Sequence, residues 1–374
     1  SACGPTTPVC GVDDRCHGCA ADADCASLTC LPDGSCASVL DVLYASATGT
    51  STATCMPNDH CSLPRAISLI DGTKSTIRLD PGRYAVLDAL TLPTDLHLVG
   101  RGAVLDRDSA GTGMVVAIPD STLITLDYLT IQGGDGATGH GVRCSNATVT
   151  MREVTVQGNA GSGIQSTGCA LTISHAQIAS NQGTGISVIG GSLGLVRSVV
   201  LANQGGGVSL TAARYDLEND VIAKNGGPSS LLGGVQVSQV LATELPADHV
   251  FQFNTVAQNL ATLGFVPGVV CSGVAASLPM ADSIVFDNGS GTQVDGAGCV
   301  WTYSDIGPVA PPGAGAHNLS SAPRFIDPIH NDFHLQVTSP ARDAADPAAA
   351  LAIDVDGDAR PQGAGRDMGA DEIK

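Results

Sequence analysis

The chain has 374 residues, of which 46 are glycine, 3% are aromatic and 14% are charged, a composition that suits many short strands joined by tight turns better than packed helices. Its 36 acidic and 17 basic residues give a formal net charge of −19, which repels phosphate backbones and anionic lipid and so excludes nucleic acid as a natural partner. No apolar run approaches the roughly 20 residues of a membrane span, and thirteen cysteines, nine of them before residue 62, suit disulfides in an oxidising compartment.

Residues 1–37 are cysteine punctuation (Cys3, Cys10, Cys16, Cys19, Cys25, Cys30, Cys36) separated by Gly, Asp, Pro and Ala. With almost no large apolar residue to build a core, disulfides must hold this segment. Cys16 and Cys19 have the spacing of a zinc-ligand pair, but no second such pair follows and bridges are expected. Seven is odd, so one of these cysteines pairs outside the segment, is free, or meets another chain. No charged-plus-apolar leader precedes Ser1, which is expected at or near a mature end.

Next comes Cys55-Met-Pro-Asn-Asp-His-Cys61, then Ser62-Leu-Pro-Arg-Ala-Ile-Ser-Leu-Ile70. Ser62 can cap a helix, Pro64 sits in its first turn, and Leu63, Ala66, Ile67 and Ile70 recur on one face. A short amphipathic helix covering the open end of the strands beyond it is predicted, since an uncapped sheet end is an aggregation hazard. From Thr76 to Val86 the text alternates apolar and polar and turns at Pro81-Gly82, so the chain passes into strands.

The decisive signal is an internal repeat. Gly141-Val142, Gly163-Ile164, Gly185-Ile186 and Gly207-Val208 follow one another at a constant interval, and four other columns fall into line. Val149, Leu171, Leu193 and Tyr215 stack, as do Met151, Ile173, Leu195 and Leu217, then Val156, Ile178, Val200 and Ile222; Asn159, Asn181, Asn203 and Asn225 form the last column. A fixed period with apolar residues two apart and glycine at the turns describes one solenoid coil per repeat. Coils ~4.8 Å apart place identical side chains over one another, and a stacked asparagine ladder satisfies amides that would be costly to bury singly. Looser coils flank this core at Leu126 to Ile131, Asn254 to Asn259 and Ser283 to Asn288, giving roughly nine coils in all. Gly226 to Gly233 and Leu241 to Val250 are predicted loops. Cys144 and Cys169, and Cys271 and Cys299, are each separated by about one coil and are expected to staple neighbouring turns, as Cys55 and Cys61 are expected to close their own loop; the alternative is buried free thiols.

From Pro308 the repeat fades into a polar tail with Ala322-Pro-Arg-Phe325, Asp354-Val-Asp-Gly-Asp-Ala-Arg-Pro361 and Asp367-Met-Gly-Ala-Asp-Glu372. These words resemble the end of the secreted parallel β-helix proteins grouped as choice-of-anchor Q, whose pattern runs through Pro-x-Phe, Asp-Gly-Asp-x-Arg-Pro and Asp-x-Gly-Ala-x-Glu. Cys61-Ser-Leu-Pro-Arg-Ala-Ile67 is similar to the Cys-Ser-Leu-Arg-Glu-Ala (CSLREA) motif at the start of related surface proteins, with Pro64-Arg65 where Arg-Glu is usual. Together the two resemblances bracket residues 55–374 and imply a released or cell-envelope β-helix; neither motif is catalytic. The cysteine-rich head is similar in style to those of bacterial envelope proteins.

The expected organisation is a disulfide-stapled segment over 1–37, a right-handed parallel β-helix (β-solenoid) with an N-terminal capping helix over 38–307, and an Asp/Pro/Gly-rich tail over 308–374 packing on the solenoid. The ligand-facing sheet is expected to show Arg143, Gln165, Ser187 and Ser209, a mild surface without the acidic cluster of a calcium-dependent lyase. A second outward column at a bend reads Glu153, His175, Arg197 and Asn219, with Asp216, Glu218 and Asp220 nearby. Glu153, His175 and Arg197 are the candidate acid/base centre, against the plainer reading of a solvated charge ladder. His140 beside Arg143 is a further candidate of the same kind. Trp301 and Tyr303 read as end packing rather than as a sugar platform. Asp354, Asp356 and Asp358 alternate around Gly357, as hard cations such as Ca²⁺ require, but Gly365 stands where an EF-hand has its glutamate; the sequence leaves calcium open against a turn held by hydrogen bonds of Asp and Arg360. The function expected is that of a non-catalytic extracellular surface, matrix or adhesion module facing a polysaccharide or a cell-envelope component. A polysaccharide lyase or glycoside hydrolase is the alternative, and a self-associating filament subunit the third.

Overall fold

The computed structural model describes residues 4, 7, 9–10, 16–107, 111–240, 244–262, 265–275, 277–308 and 317–374. Cys3 lies outside them. Among the described residues three parallel sheets run along the chain: sheet A with eleven strands, sheet B with ten and sheet C with nine. Each coil visits C, then A, then B, as in Val142–Ser145, Thr148–Arg152 and Thr155–Gln157. Neighbouring coils pair in register at Val142, Ile164, Ile186 and Val208, which are the glycine-following positions of the repeat.

Alternation inside these short strands turns Val142, Val149, Met151 and Val156 inward. Their equivalents in the other coils form one aliphatic core running from Leu43 to Ile306. Burial of that core is the main favourable term in folding. The solenoid has about ten coils, one more than the sequence columns suggest, because its first coils depart from the central period.

The two kinds of corner have different physics. Between A and B the chain turns on one residue in the left-handed region: Glu153, His175, Arg197 and Asn219 have φ of 57°, 52°, 53° and 56°. Such a conformation is unfavourable for side chains in isolation, and stacking over-determines it, because Glu153, His175 and Arg197 each donate N–H to a carbonyl of the next coil. Between B and C stands the asparagine ladder. Asn159, Asn181, Asn203, Asn225, Asn259 and Asn288 are fully buried, each Nδ2 of the first five donating to the next Oδ1 at 2.8–3.0 Å.

A second ladder, absent from the sequence columns, follows the A/B corner. Ser198, Asp220, Asn254, Ser283 and Ser304 are fully buried, and each side-chain oxygen accepts the backbone N–H of the equivalent residue one coil earlier. Mixed residue types at one position hid it.

The head is held by Cys19–Cys30 and Cys25–Cys36, and Cys16 is also disulfide-bonded, so neither Cys16 nor Cys19 offers a thiolate to zinc. It docks on sheet A, with Asp22 3.5 Å from Arg78 and 3.7 Å from Arg101, while Tyr44 Oη donates to the Ser27 carbonyl. Further bridges join Cys55 to Cys61, Cys144 to Cys169 and Cys271 to Cys299.

The predicted capping helix is corrected to a five-residue turn, Leu63–Ile67. Ser62 makes no capping hydrogen bond, and the Asp71 carboxylate takes the N–H groups of Thr73 and Lys74 into a tight turn, so the helix has neither a side-chain start nor room to continue. Leu63 and Ala66 are nevertheless buried against the core. At the other end, the tail lies along the A/B corner. Phe325–Asp327 pairs antiparallel with Asp332–Leu335, and the Arg360 guanidinium is buried, donating to Glu372, Asn219 and the carbonyls of Asp367 and Gly369.

Candidate functional site

Arg143, Gln165, Ser187 and Ser209 form one register column on the outer face of sheet C, continued by Gln236. Beside them stand Ser145, Thr167, Ile189 and Thr211. The face is a run of small, mostly neutral side chains with one cation, which provides hydrogen-bonding groups but no acid/base pair. His140 is nearly buried, and its Nδ1 accepts the Ser162 N–H at 3.0 Å. It therefore serves the turn.

Glu153, His175 and Arg197 occupy the same corner on three successive coils. Burial and the Arg197 charge lower the His175 pKa, and Glu153 opposes them, so the ring is neutral at physiological pH. Arg197 is drawn off by the tail: its Nε donates to the Val355 carbonyl at 3.3 Å. A Cβ at Gly357 would meet Arg197 Nη2 at 2.6 Å. Asn219, one coil further, donates to the Ile353 carbonyl at 2.8 Å. The structure thus stacks the three candidates but commits Arg197 to holding the tail, leaving Glu153 and His175 outside it.

The outer face of sheet A carries more chemistry. One register column reads Arg78, Val99, Asp127, Arg152, Ser174, Val196, Glu218 and Gln252, and its neighbour His97, Thr125, Thr150, Thr172, Gly194 and Asp216. Near the head, the buried Asp127 carboxylate pairs with His97 Nε2 at 2.6 Å and accepts both Nε and Nη2 of Arg152 at 2.9 and 2.7 Å. Both of its oxygens are used, and so is the guanidinium fork. Arg101 lies 3.4 Å over the Tyr128 ring, so this end is a closed charge network under the head.

Farther along, the strand Arg214–Glu218 turns Asp216 and Glu218 outward. Two residues along a strand is ~6.7 Å. Glu218 accepts a hydrogen bond from Gln252 Nε2, whereas Asp216 has no hydrogen-bond or ion-pair partner among the described residues. Its side chain reaches solvent, but partial desolvation, reinforced by Glu218, pushes its pKa up to about 6. One carboxyl of the pair therefore carries a proton over part of the neutral range while its neighbour accepts hydrogen bonds. Beside them, Arg214 lies 3.9 Å from Asp248 and the buried His249 3.2 Å from Glu244, both partners from the insertion after sheet C. Between the head and this insertion the face is made of Thr150, Thr172, Ser174, Gly194 and Val196. This stretch of the face therefore carries mostly small side chains, with a carboxyl pair at one end.

In the sequence, Asp216 and Glu218 stand out only as neighbours of the corner column; their alternation on a strand was the available signal. His97, Asp127 and Arg152 were missed altogether.

The aspartate loop of the tail is engaged by the protein itself. Asp354 is buried, with Oδ1 accepting N–H from Asp356 and Asp358 at 3.0 and 2.8 Å and Oδ2 accepting N–H from Glu372 at 3.1 Å. Asp356 pairs with His334 and Asp358 with Lys374. Arg360 pairs with Glu372 rather than with the loop aspartates. Trp301 is buried edge-on to Phe251 and Tyr303 stacks on His317.

The family model "Right handed beta helix region" matches residues 140–306. No curated protein matches the sequence. Among solved structures the chain is similar to pectate lyase Pel9A, at 14% identity and a TM-score of 0.57 over 89% of this chain and 96% of that one. A rhamnogalacturonan lyase is matched at 10% identity and a TM-score of 0.35, over 67% of this chain and 75% of that one. At such identity the Pel9A match speaks for the fold alone, and with the family model it makes the chain a right-handed parallel β-helix protein.

Proposed function

We propose that the protein is an exported β-helix that lays an extended polysaccharide along the outer face of sheet A and hydrolyses it at Asp216 and Glu218. The observation that carries this reading is the carboxyl pair itself, two side chains on one strand face with different surroundings at the end of a stretch of small residues. Asp216, without a partner and with its pKa at about 6, is suited to protonate a leaving glycosidic oxygen; Glu218, held by Gln252, is suited to act as base or nucleophile. Carboxyl groups ~5–9.5 Å apart serve such chemistry. The chain's charge of −19 favours a neutral glycan over a polyanionic one. Export is supported by the disulfides and by the resemblance of the tail to secreted β-helix proteins, and the named activity of Pel9A, a pectate lyase, is consistent with a polysaccharide partner.

The second reading is a non-catalytic surface, matrix or adhesion module, and the mild column Arg143, Gln165, Ser187 and Ser209 favours it. Incubation with neutral and acidic polysaccharides, followed by assay of new reducing ends and of unsaturated products, separates the two. Reducing ends from a neutral glycan, lost in Asp216→Asn and Glu218→Gln with folding intact, are expected. Glycan binding without cleavage, unchanged in both variants, would give the answer to the second reading.

A further inference from the structure

The tail carries a group of side chains that the carboxyl pair on sheet A does not involve. His334, on the strand Asp332–Leu335, has Nε2 2.7 Å from Asp356 Oδ2 and Nδ1 2.6 Å from Asp332 Oδ1. Asp371 approaches from the terminal segment, and ligand atoms of His334, Asp356 and Asp371 all lie within 4.8 Å of one another. The three line a cavity of about 120 Å³ whose other walls include Val199, Leu201, Val221 and Phe333.

Asp371 is 8% exposed. Its Oδ2 accepts the Leu335 N–H at 2.7 Å, but its other oxygen accepts no hydrogen bond among the described residues. Asp371 thus stands at the wall of a small cavity beside an imidazole and a second carboxylate, with one oxygen not engaged by a hydrogen bond among the described residues. Lys374, the nearby terminal cation, is taken by Asp358 at 2.8 Å.

We propose that His334, Asp356 and Asp371 form a binding site for a divalent transition-metal cation of the zinc type. The donor set is one imidazole and two carboxylates, which suits Zn²⁺ or Co²⁺ better than Ca²⁺, whose sites take six to eight oxygens. Asp332 completes the arrangement: a carboxylate on the far ring nitrogen of a metal-bound histidine fixes its tautomer and orients the ligating nitrogen. Ligand distances of ~2.0–2.2 Å require His334 and Asp356 to part slightly around the ion. Three protein ligands leave a coordination position, and the cavity over Val221 and Phe333 adjoins it. The ion would tie the strand Asp332–Leu335 to the terminal segment without touching sheet A. This inference does not depend on the proposed hydrolysis.

The full chain, stripped of metal with chelator and then dialysed, is titrated with Zn²⁺ by calorimetry and with Co²⁺ by visible absorption, and its melting is followed with each ion. Stoichiometric Zn²⁺ should raise the melting temperature, and Co²⁺ should give a d–d spectrum with a nitrogen ligand. His334→Ala should abolish the spectrum; Asp332→Asn should weaken Zn²⁺ binding about 10–100-fold. Asp356→Asn, a change at an exposed position, should weaken binding without unfolding the chain, whereas His330→Ala should bind as the wild type does. Unchanged melting and spectra with both ions would overturn the proposal. So would equal binding by His334→Ala, or stabilisation by Ca²⁺ alone.

Discussion

Asn203 donates twice to a single atom: its Nδ2 and its backbone N–H lie 2.9 and 3.0 Å from Asn225 Oδ1. Its own Oδ1 receives the same pair of bonds from Asn181, at 2.8 and 3.1 Å. Each rung is therefore both donor and acceptor inside a dry corner, and removing one strands partners on both sides. Asn203→Ala should destabilise the protein by about 1–3 kcal/mol, measured by chemical denaturation. Aspartate at this position should be at least as harmful, since it cannot donate to Asn225. A loss below a few tenths of a kcal/mol would mean the ladder adds little.

Asp220 stands in the second ladder with Oδ1 accepting the Ser198 N–H and Oδ2 buried without a partner. Burial, together with the nearby Asp216 and Glu218, raises its pKa well above the ordinary value. Asp305, on the same side of the last coil, is pushed to about 6 by burial, and one of its oxygens is likewise unpaired. Acids whose folded pKa is raised bind more protons folded than unfolded, so their stability contribution is fully present below the unfolded value near 4 and declines as pH rises toward the folded value. For Asp305 that window is pH ~4 to 6. The melting temperature should therefore fall across this range. Asp220→Asn and Asp305→Asn should raise it at pH 7 and flatten the dependence, because an amide fills the same place with no charge to bury. Profiles that stay parallel to that of the wild type would show these carboxyls to be ionised in the fold.

The solenoid between residues 141 and 225 was readable because its coils repeat without insertion, so one column could be checked against another. The Asn259 and Asn288 rungs follow at 34 and 29 residues, and only their residue type betrayed them. His97, Asp127 and Arg152 lie 30 and 25 residues apart, outside any fixed period, and nothing in the sequence announced their meeting. The second ladder escaped for a chemical reason: a side-chain acceptor is all that its position needs, so Ser, Asp and Asn serve equally and leave no column of identical letters. The helix is shorter than its apolar spacing predicts because that spacing carries no trace of the stop at Asp71.

Asn219 joins the tail to the solenoid through both ends of its amide, donating to the Ile353 carbonyl and accepting from Arg360 Nη2 at 3.2 Å. Asn219→Ala should cost about 1–3 kcal/mol and release the tail for limited proteolysis after residue 320. Arg360→Met goes further, leaving Glu372 buried without its cation, at about 3–5 kcal/mol. If the cleavage patterns of wild type and Asn219→Ala coincide, the tail is held mainly by its apolar contacts at Phe253 and Ile284.

Calcium binding at the tail loop is open to a direct test. Three aspartates around Gly357 have the look of a hard-cation loop, yet Asp354, the innermost, has one oxygen filled by the N–H groups of Asp356 and Asp358 and the other by that of Glu372. A buried carboxylate that accepts three backbone N–H groups has its hydrogen-bonding capacity met without any metal. It shapes the loop as an N-cap carboxylate shapes the start of a helix. Asp354→Ala orphans those donors and should destabilise the tail by about 2–4 kcal/mol, whereas millimolar calcium added to the wild type should leave the melting curve where it was. A calcium-dependent rise that disappears in Asp354→Asn would instead make the loop a cation site, because an amide at this position keeps the shape of the carboxylate but loses the charge a hard cation requires.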